Sequence, residues 1–163
     1  MSKSSGVSQD ASQNSDKQTL KDAAFRLLTR REHSQFELRH KLTQKGWPDA
    51  DVDELIQELA TKGWQSDERF IGSFIREKLM QGQGRIKIVA QATQQRGVDR
   101  QLVEAALAEH SVDWQQRCRE LHQRKFGERP PVDRKEWSKR VRYLQQRGFS
   151  GDQIFAVLGE LES

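Results

Sequence analysis

The sequence predicts an all-α protein made of three tandem three-helix repeats forming an elongated, curved array, and three observations predict it. Apolar residues recur at helical spacing, and no segment shows sustained period-2 alternation with β-branched enrichment. A short motif occurs three times: QKGW at Gln44–Trp47, QRGV at Gln95–Val98 and QRGF at Gln146–Phe149, with Gly46, Gly97 and Gly148 each 51 residues apart. The apolar fraction is 34%, below the roughly 45–50% of globular chains in a reference that also counts glycine. One large core is therefore disfavoured, and thin helical units that share apolar surface with their neighbours are favoured.

Residues 1–17 are mostly Ser, Gln, Asn and Asp, with almost nothing to bury, and read as a flexible tail. Repeats are expected over 18–64, 65–111 and 112–163. The first helix carries Leu20, Ala23, Ala24, Leu27 and Leu28 at helical spacing. Ser34 with Glu37 three residues on is a capping-box signature for the second helix, which runs through Leu38 and Leu42 to Gly46. Pro48 suits the start of the third helix, and Asp49 and Asp51 sit well at its positive end.

The stripe of that third helix repeats in register. Val52, Leu55, Ile56 and Leu59 become Val103, Ala106, Leu107 and His110, then Ile154, Val157, Leu158 and Leu161. Only His110 breaks the apolar pattern. Gly46, Gly97 and Gly148 are expected to take the left-handed conformation that closes the second helix of each repeat. The residue after each glycine (Trp47, Val98, Phe149) is placed to fold back on that helix. The opening helices are less regular. In the second repeat Ser66-Asp67 precedes Phe70, Ile71, Phe74, Ile75 and Leu79. In the third, Trp114, Cys118, Leu121 and Phe126 lead into a loop with Gly127, Pro130 and Pro131, followed by the helix of Trp137, Val141 and Leu144.

The formal charge is +4, unevenly spread. Residues 1–112 hold 17 Lys/Arg and 16 Asp/Glu, residues 113–148 hold 11 and 5, and residues 149–163 hold none and 3. The basic stretch suits phosphates or an acidic protein face as readily as a solvated, salt-bridged helix surface. A single cysteine, Cys118, forms no intrachain disulfide, and there is no signal-like apolar segment and no run of about 20 apolar residues. The expected location is cytoplasmic, with no membrane span.

Reactive chemistry finds little footing. Gly82-x-Gly84 lacks the spacing and the Lys-Ser/Thr pair of a triphosphate cradle and reads as an interhelical turn. His33, His40, His110 and His122 form no ligand set, and His33 reads as part of the turn before the Ser34 cap. Cys118, four before His122, lies on the apolar face with Trp114 and Leu121 and reads as a structural thiol. Trp47, Trp64, Trp114 and Trp137 read as core anchors rather than base-stacking platforms. No enzyme, metal or cofactor is expected.

Several blocks in order resemble the RecX family: RREHSQFELRHKL at 30–42, GWQSDERFIGSFIR at 63–76, GQGRIKIVAQATQQRG at 82–97 and YLQQRGF at 143–149. The resemblance spans about residues 20–161. The central turn departs from the family's Gly-Tyr-Gly-Pro-x-Arg-Ile: here it reads Gly82-Gln83-Gly84-Arg85-Ile86-Lys87-Ile88. The aromatic and the proline are missing, which weakens the helix start, and arginine has become lysine.

The resemblance implies a non-enzymatic modulator of the RecA recombinase that binds RecA filaments on DNA and typically suppresses ATP hydrolysis and strand exchange. The candidate contact residues are Arg69, Arg76, Lys78, Arg85 and Lys87 around the central turn. In the third repeat they are Arg117, Arg124, Lys125, Arg134, Lys135, Lys139, Arg140 and Arg142. Such side chains bind phosphate oxygens or carboxylates, and no helix-turn-helix sequence sets up base reading. The rival readings are a DNA-binding protein acting without RecA, on single- or double-stranded DNA without sequence preference, and a generic helical adaptor. A monomer is expected.

Overall fold

The computed structural model describes residues 3–159, with side chains from residue 14 onward. It contains nine α-helices among the described residues and no strand. They are α1 (Lys3–Arg30), α2 (Gln35–Gln44), α3 (Asp49–Thr61), α4 (Asp67–Met80), α5 (Arg85–Ala90), α6 (Arg100–His110), α7 (Trp114–Phe126), α8 (Arg134–Gln146) and α9 (Gly151–Leu158). A π-turn at Gln91–Gln95 continues α5. The chain divides into two compact units, residues 1–70 and 71–163.

The repeat is written into the helix starts. The N-caps of α3, α6 and α9 are Pro48, Asp99 and Ser150, spaced by the same 51 residues as the glycines. The caps themselves differ. Asp99 accepts from the Gln101 amide, Ser150 forms a full capping box with Gln153, and Pro48 makes no side-chain bond. Position is kept while the capping chemistry varies, because several residue types can satisfy or avoid a first-turn amide. Gly46, Gly97 and Gly148 all have positive φ, at 103°, 65° and 100°.

In the first unit, Leu20, Ala23 and Ala24 of α1 meet Leu38 and Leu42 of α2 and Val52, Leu55, Ile56 and Leu59 of α3 in one buried cluster. Trp47 packs against it, as expected of the residue after Gly46. The Ser34 hydroxyl accepts from the Glu37 amide, and the Glu37 carboxylate accepts from the Ser34 amide. Arg31 then clamps the same carboxylate at 2.7 Å. His33 is buried in the turn before the cap, its Nδ1 3.0 Å from the Arg31 carbonyl. Burial is the main cause lowering its pKa, against the opposing hydrogen bond to Arg31.

Two differences from the sequence reading stand out here. Helix α1 starts at Lys3, so residues 3–17 are helical where a tail is expected; residues 1 and 2 lie outside the described set. Residues 14–19 are all exposed, so over that stretch the helix is carried by hydrogen bonds added to an existing helix, not by burial. Trp64, expected to be a core anchor, is instead 58% exposed, with its ring against the Phe25 edge at 5.6 Å. Gly63 turns the chain outward there with φ 79°.

In the second unit, Ile71, Phe74, Ile75 and Leu79 of α4 are buried, as are Ile88, Val89, Ala92, Val98, Val103 and Leu107. A second cluster joins Cys118 and Leu121 of α7, Leu144 of α8, Phe149, and Ile154 of α9. The π-turn has no counterpart in the expected repeat. It is marked by the Arg96 amide reaching the Gln91 carbonyl at 3.0 Å, a five-residue step. Leu161, the last residue of the expected stripe, lies outside the described residues.

Candidate functional surface

The turn Gly82-Gln83-Gly84 seats on the turn at Gly148. The Gly84 amide donates to the Arg147 carbonyl at 2.6 Å, and the Ile86 amide donates to the Gly148 carbonyl at 3.1 Å. A Cβ on Gly84 would lie 2.5 Å from the Gly148 carbonyl carbon and oxygen. Arg147 completes the junction by donating to the Gln81 carbonyl at 2.7 Å. Among the candidate residues, Lys87 packs its stem on Gly148, and Arg117 donates to the Leu79 carbonyl at 3.0 Å. The junction thus engages the Arg117 guanidinium in structure, while Lys87, half-buried, meets it through its Cβ. Arg147, absent from the sequence-based set, is a principal cation there. Its backbone role as the residue before Gly148 hides it from pattern reading.

The other residues around this turn are partly engaged. Arg85 pairs with Glu104, Arg69 pairs with Glu32 at 3.0 Å, and Lys78 sits 5.2 Å over the Phe74 ring. Arg76 is exposed.

The third repeat sorts its cations onto two sides of α8. Arg140, expected to face a partner, is 2% exposed. It donates to Glu136 at 2.6 Å, to the Arg129 carbonyl at 2.7 Å and towards His122 Nε2 at 3.3 Å, and it lies 5.1 Å from the Phe126 ring centre. It is a strut of the α7–α8 connection and not a docking residue. The helical wheel explains this: Arg140 falls near Leu144, on the inward side. The Arg140 hydrogen bond holds the Glu136 carboxyl below its ordinary range. Burial, then the nearby Arg140 charge, lowers the His122 pKa.

Arg124, Lys125, Arg134, Lys135, Lys139 and Arg142 are exposed. Lys125 lies 5.3 Å over the Tyr143 ring, and Arg147 lies 5.9 Å over it. Trp137 is half-buried, donating its Nε1 hydrogen to the Gly159 carbonyl at 3.2 Å.

Cys118 is fully buried, and burial pushes its pKa up to about 11, so it is a neutral thiol near pH 7 and a poor nucleophile. Among the described residues no three His, Cys, Asp or Glu side chains group to hold a metal, and no helix is long and apolar enough to cross a membrane.

These features define a helical repeat protein with three three-helix domains and a basic third domain. The chain belongs to the RecX family. Family models match in order: the first three-helix domain of RecX over residues 21–59, the second over 66–107 and the third over 112–158. The regulatory protein RecX of Halorhodospira halophila is 38% identical over 140 residues, 86% of each chain. That of Legionella pneumophila is 37% identical over 142 residues, 87% of this chain and 94% of the relative. In fold, the chain is similar to the crystal structure of RecX from Lactobacillus salivarius, with TM-score 0.72, 20% identity and coverage of 88% and 95%. A second crystal structure, of regulatory protein RecX, gives TM-score 0.73 at 17% identity, covering 87% of this chain and 72% of the other.

Proposed function

We propose that this chain regulates RecA: it binds the RecA nucleoprotein filament and holds down ATP hydrolysis and strand exchange in recombination and the SOS response. The carrying observation is family membership across all three domains, with relatives named as regulatory proteins. The chemistry of the chain is compatible. Its one thiol is neutral and buried, and its cations are displayed on helix surfaces suited to a broad macromolecular contact. The chain acts by occupying the filament, and its place of action is the cytoplasm.

The test is co-sedimentation. RecA filaments assembled on single-stranded DNA with a slowly hydrolysed ATP analogue are pelleted with the chain present. Recovery of the chain in the pellet in proportion to RecA supports the reading. A chain that stays in the supernatant at every ratio, while an unrelated protein from the same cells retains it, supports a generic adaptor instead.

A further inference from the structure

We propose that His33 and Lys41 form an acid-operated clasp: their contact fastens the α1–α2 turn to the start of α4, and a proton on the imidazole releases it. The inference is separate from filament regulation, since it concerns the free chain.

The two ring nitrogens have fixed roles. His33 is 1% exposed, so its polar atoms find partners in the chain and not in water. Nδ1 lies 3.0 Å from the Arg31 carbonyl oxygen, which can only accept, so Nδ1 carries the hydrogen and donates. Nε2 therefore presents a lone pair, and it accepts from the Lys41 ammonium at 3.0 Å. A second proton must go on Nε2, where it sets donor against donor and positive charge against positive charge. The charged groups facing the ring are Arg31 from the turn and Lys41 and Glu37 from α2. Both cations oppose a charged ring. Glu37 favours one, but its carboxylate already accepts from Arg31 at 2.7 Å and from the Ser34 amide at 3.1 Å.

The same turn holds the connection into α4. The His33 carbonyl accepts from the Gln65 side-chain amide at 3.1 Å. That amide also donates to the Asp67 carboxylate at 2.9 Å, and the Gln35 backbone amide donates to the same oxygen at 2.9 Å. Arg69 reaches back to Glu32 at 3.0 Å. Residues 32, 33 and 35 are thus tied to residues 65, 67 and 69, all within the first compact unit. Turning Nε2 away from Lys41 breaks the Nδ1 bond to Arg31, and moving the turn strains the ties to Gln65 and Asp67. Gln65 is itself buried, and its side-chain oxygen has no hydrogen-bond partner. The closed clasp carries the cost of that dry acceptor, and opening lets water relieve it.

A ring kept neutral when closed and free to charge when open links opening to protons. The clasp is shut above the ordinary imidazole value of 6.5 and loosens as pH falls from there towards the lowered folded value. Over that interval the opening constant grows about tenfold per pH unit, as for one coupled proton.

The experiment is nitrogen-15 NMR of the full chain between about pH 7.5 and 5.5, with amide hydrogen exchange corrected for its intrinsic pH dependence. At neutral pH His33 should carry its hydrogen on Nδ1. The Gln35 amide should exchange by local opening, with less protection than the amide of Leu59, which is fully buried in the same unit. Its protection should fall by about tenfold per pH unit below the ordinary imidazole value. In Lys41→Gln a neutral amide faces Nε2 and can swivel its oxygen to accept from a charged ring. His33 should then titrate at higher pH, and Gln35 protection should depend less on pH. A hydrogen on Nε2 at neutral pH overturns the proposal. So does Gln35 protection that is flat with pH or equal to that of Leu59, or a His33 titration unchanged by Lys41→Gln. RecA takes no part, so none of these outcomes bears on filament co-sedimentation.

Discussion

Gly84 and Gly148 meet backbone to backbone, close enough that a single added methyl on either would strike main-chain atoms of the opposing turn. The two glycines come from the central turn of the second domain and the closing turn of the third. Their contact turns a sequence repeat into a tertiary joint. It also separates glycines that are equivalent in the repeat.

Gly46 and Gly148 have nearly the same φ, 103° and 100°. A Cβ on Gly46 meets nothing within 4 Å, whereas one on Gly148 falls 2.4 Å from the Lys87 Cβ. Gly46→Ala should therefore cost only the left-handed strain, about 1–2 kcal/mol. Gly148→Ala should lose a further amount of about 1–3 kcal/mol from overpacking. Urea unfolding of the two variants checks the order, and equal losses would contradict it.

Gly84→Ala isolates the steric effect, because Gly84 has an ordinary φ of −84°. The Cβ would press on backbone atoms, which do not swing aside as side-chain ends do. A loss of about 1–3 kcal/mol is expected, read as a lower urea midpoint. An unchanged midpoint would show that the two turns are not in contact in solution.

Arg140 and Lys139 are neighbours with opposite fates. Arg140→Ala leaves the Arg129 carbonyl and the inward side of Glu136 without their donor and opens space under Phe126. Its expected cost is about 1–3 kcal/mol, because Glu136 stays partly exposed to water once its donor is gone. Lys139→Ala should stay within about 0.5 kcal/mol of the native chain. Thermal melts of the pair decide it, and a silent Arg140→Ala would return that residue to the surface.

Stability should fall on acidification. His33 and His122 both have folded pKa values below the ordinary 6.5. The unfolded chain therefore takes up their protons first. Stability is full above about 6.5 and declines as the pH drops through that value towards the lowered folded ones. Glu58, held down chiefly by Lys62, and Glu136, held down chiefly by Arg140, extend the loss below the ordinary carboxylate range. Urea titrations between about pH 7.5 and 5.5 test the sign. His122→Asn should flatten part of the slope, and greater stability at the acid end would contradict the assignment.

The helices, the three glycine turns and the Ser34–Glu37 capping box were legible in the residues because each depends on local chemistry and fixed spacing. The sorting of basic residues was not. Charge composition treats Lys139 and Arg140 alike, and only the wheel position relative to Leu144 buries one of them. The Gly84–Gly148 joint was hidden for a different reason. It pairs turns 64 residues apart in the chain, and nothing local to either records the other. Trp64 departs from its pattern because a large aromatic at an interhelical junction usually packs inward, while this one, after the positive-φ Gly63, is exposed.

Occupancy of the RecA filament by this chain, as proposed above, should be read out in steady-state ATP hydrolysis. RecA on single-stranded DNA, with ATP regenerated, is titrated with this chain. A rate that falls with added chain and levels off near filament saturation is the predicted result. A rate that stays constant through stoichiometric excess, in protein shown to be folded, would contradict it.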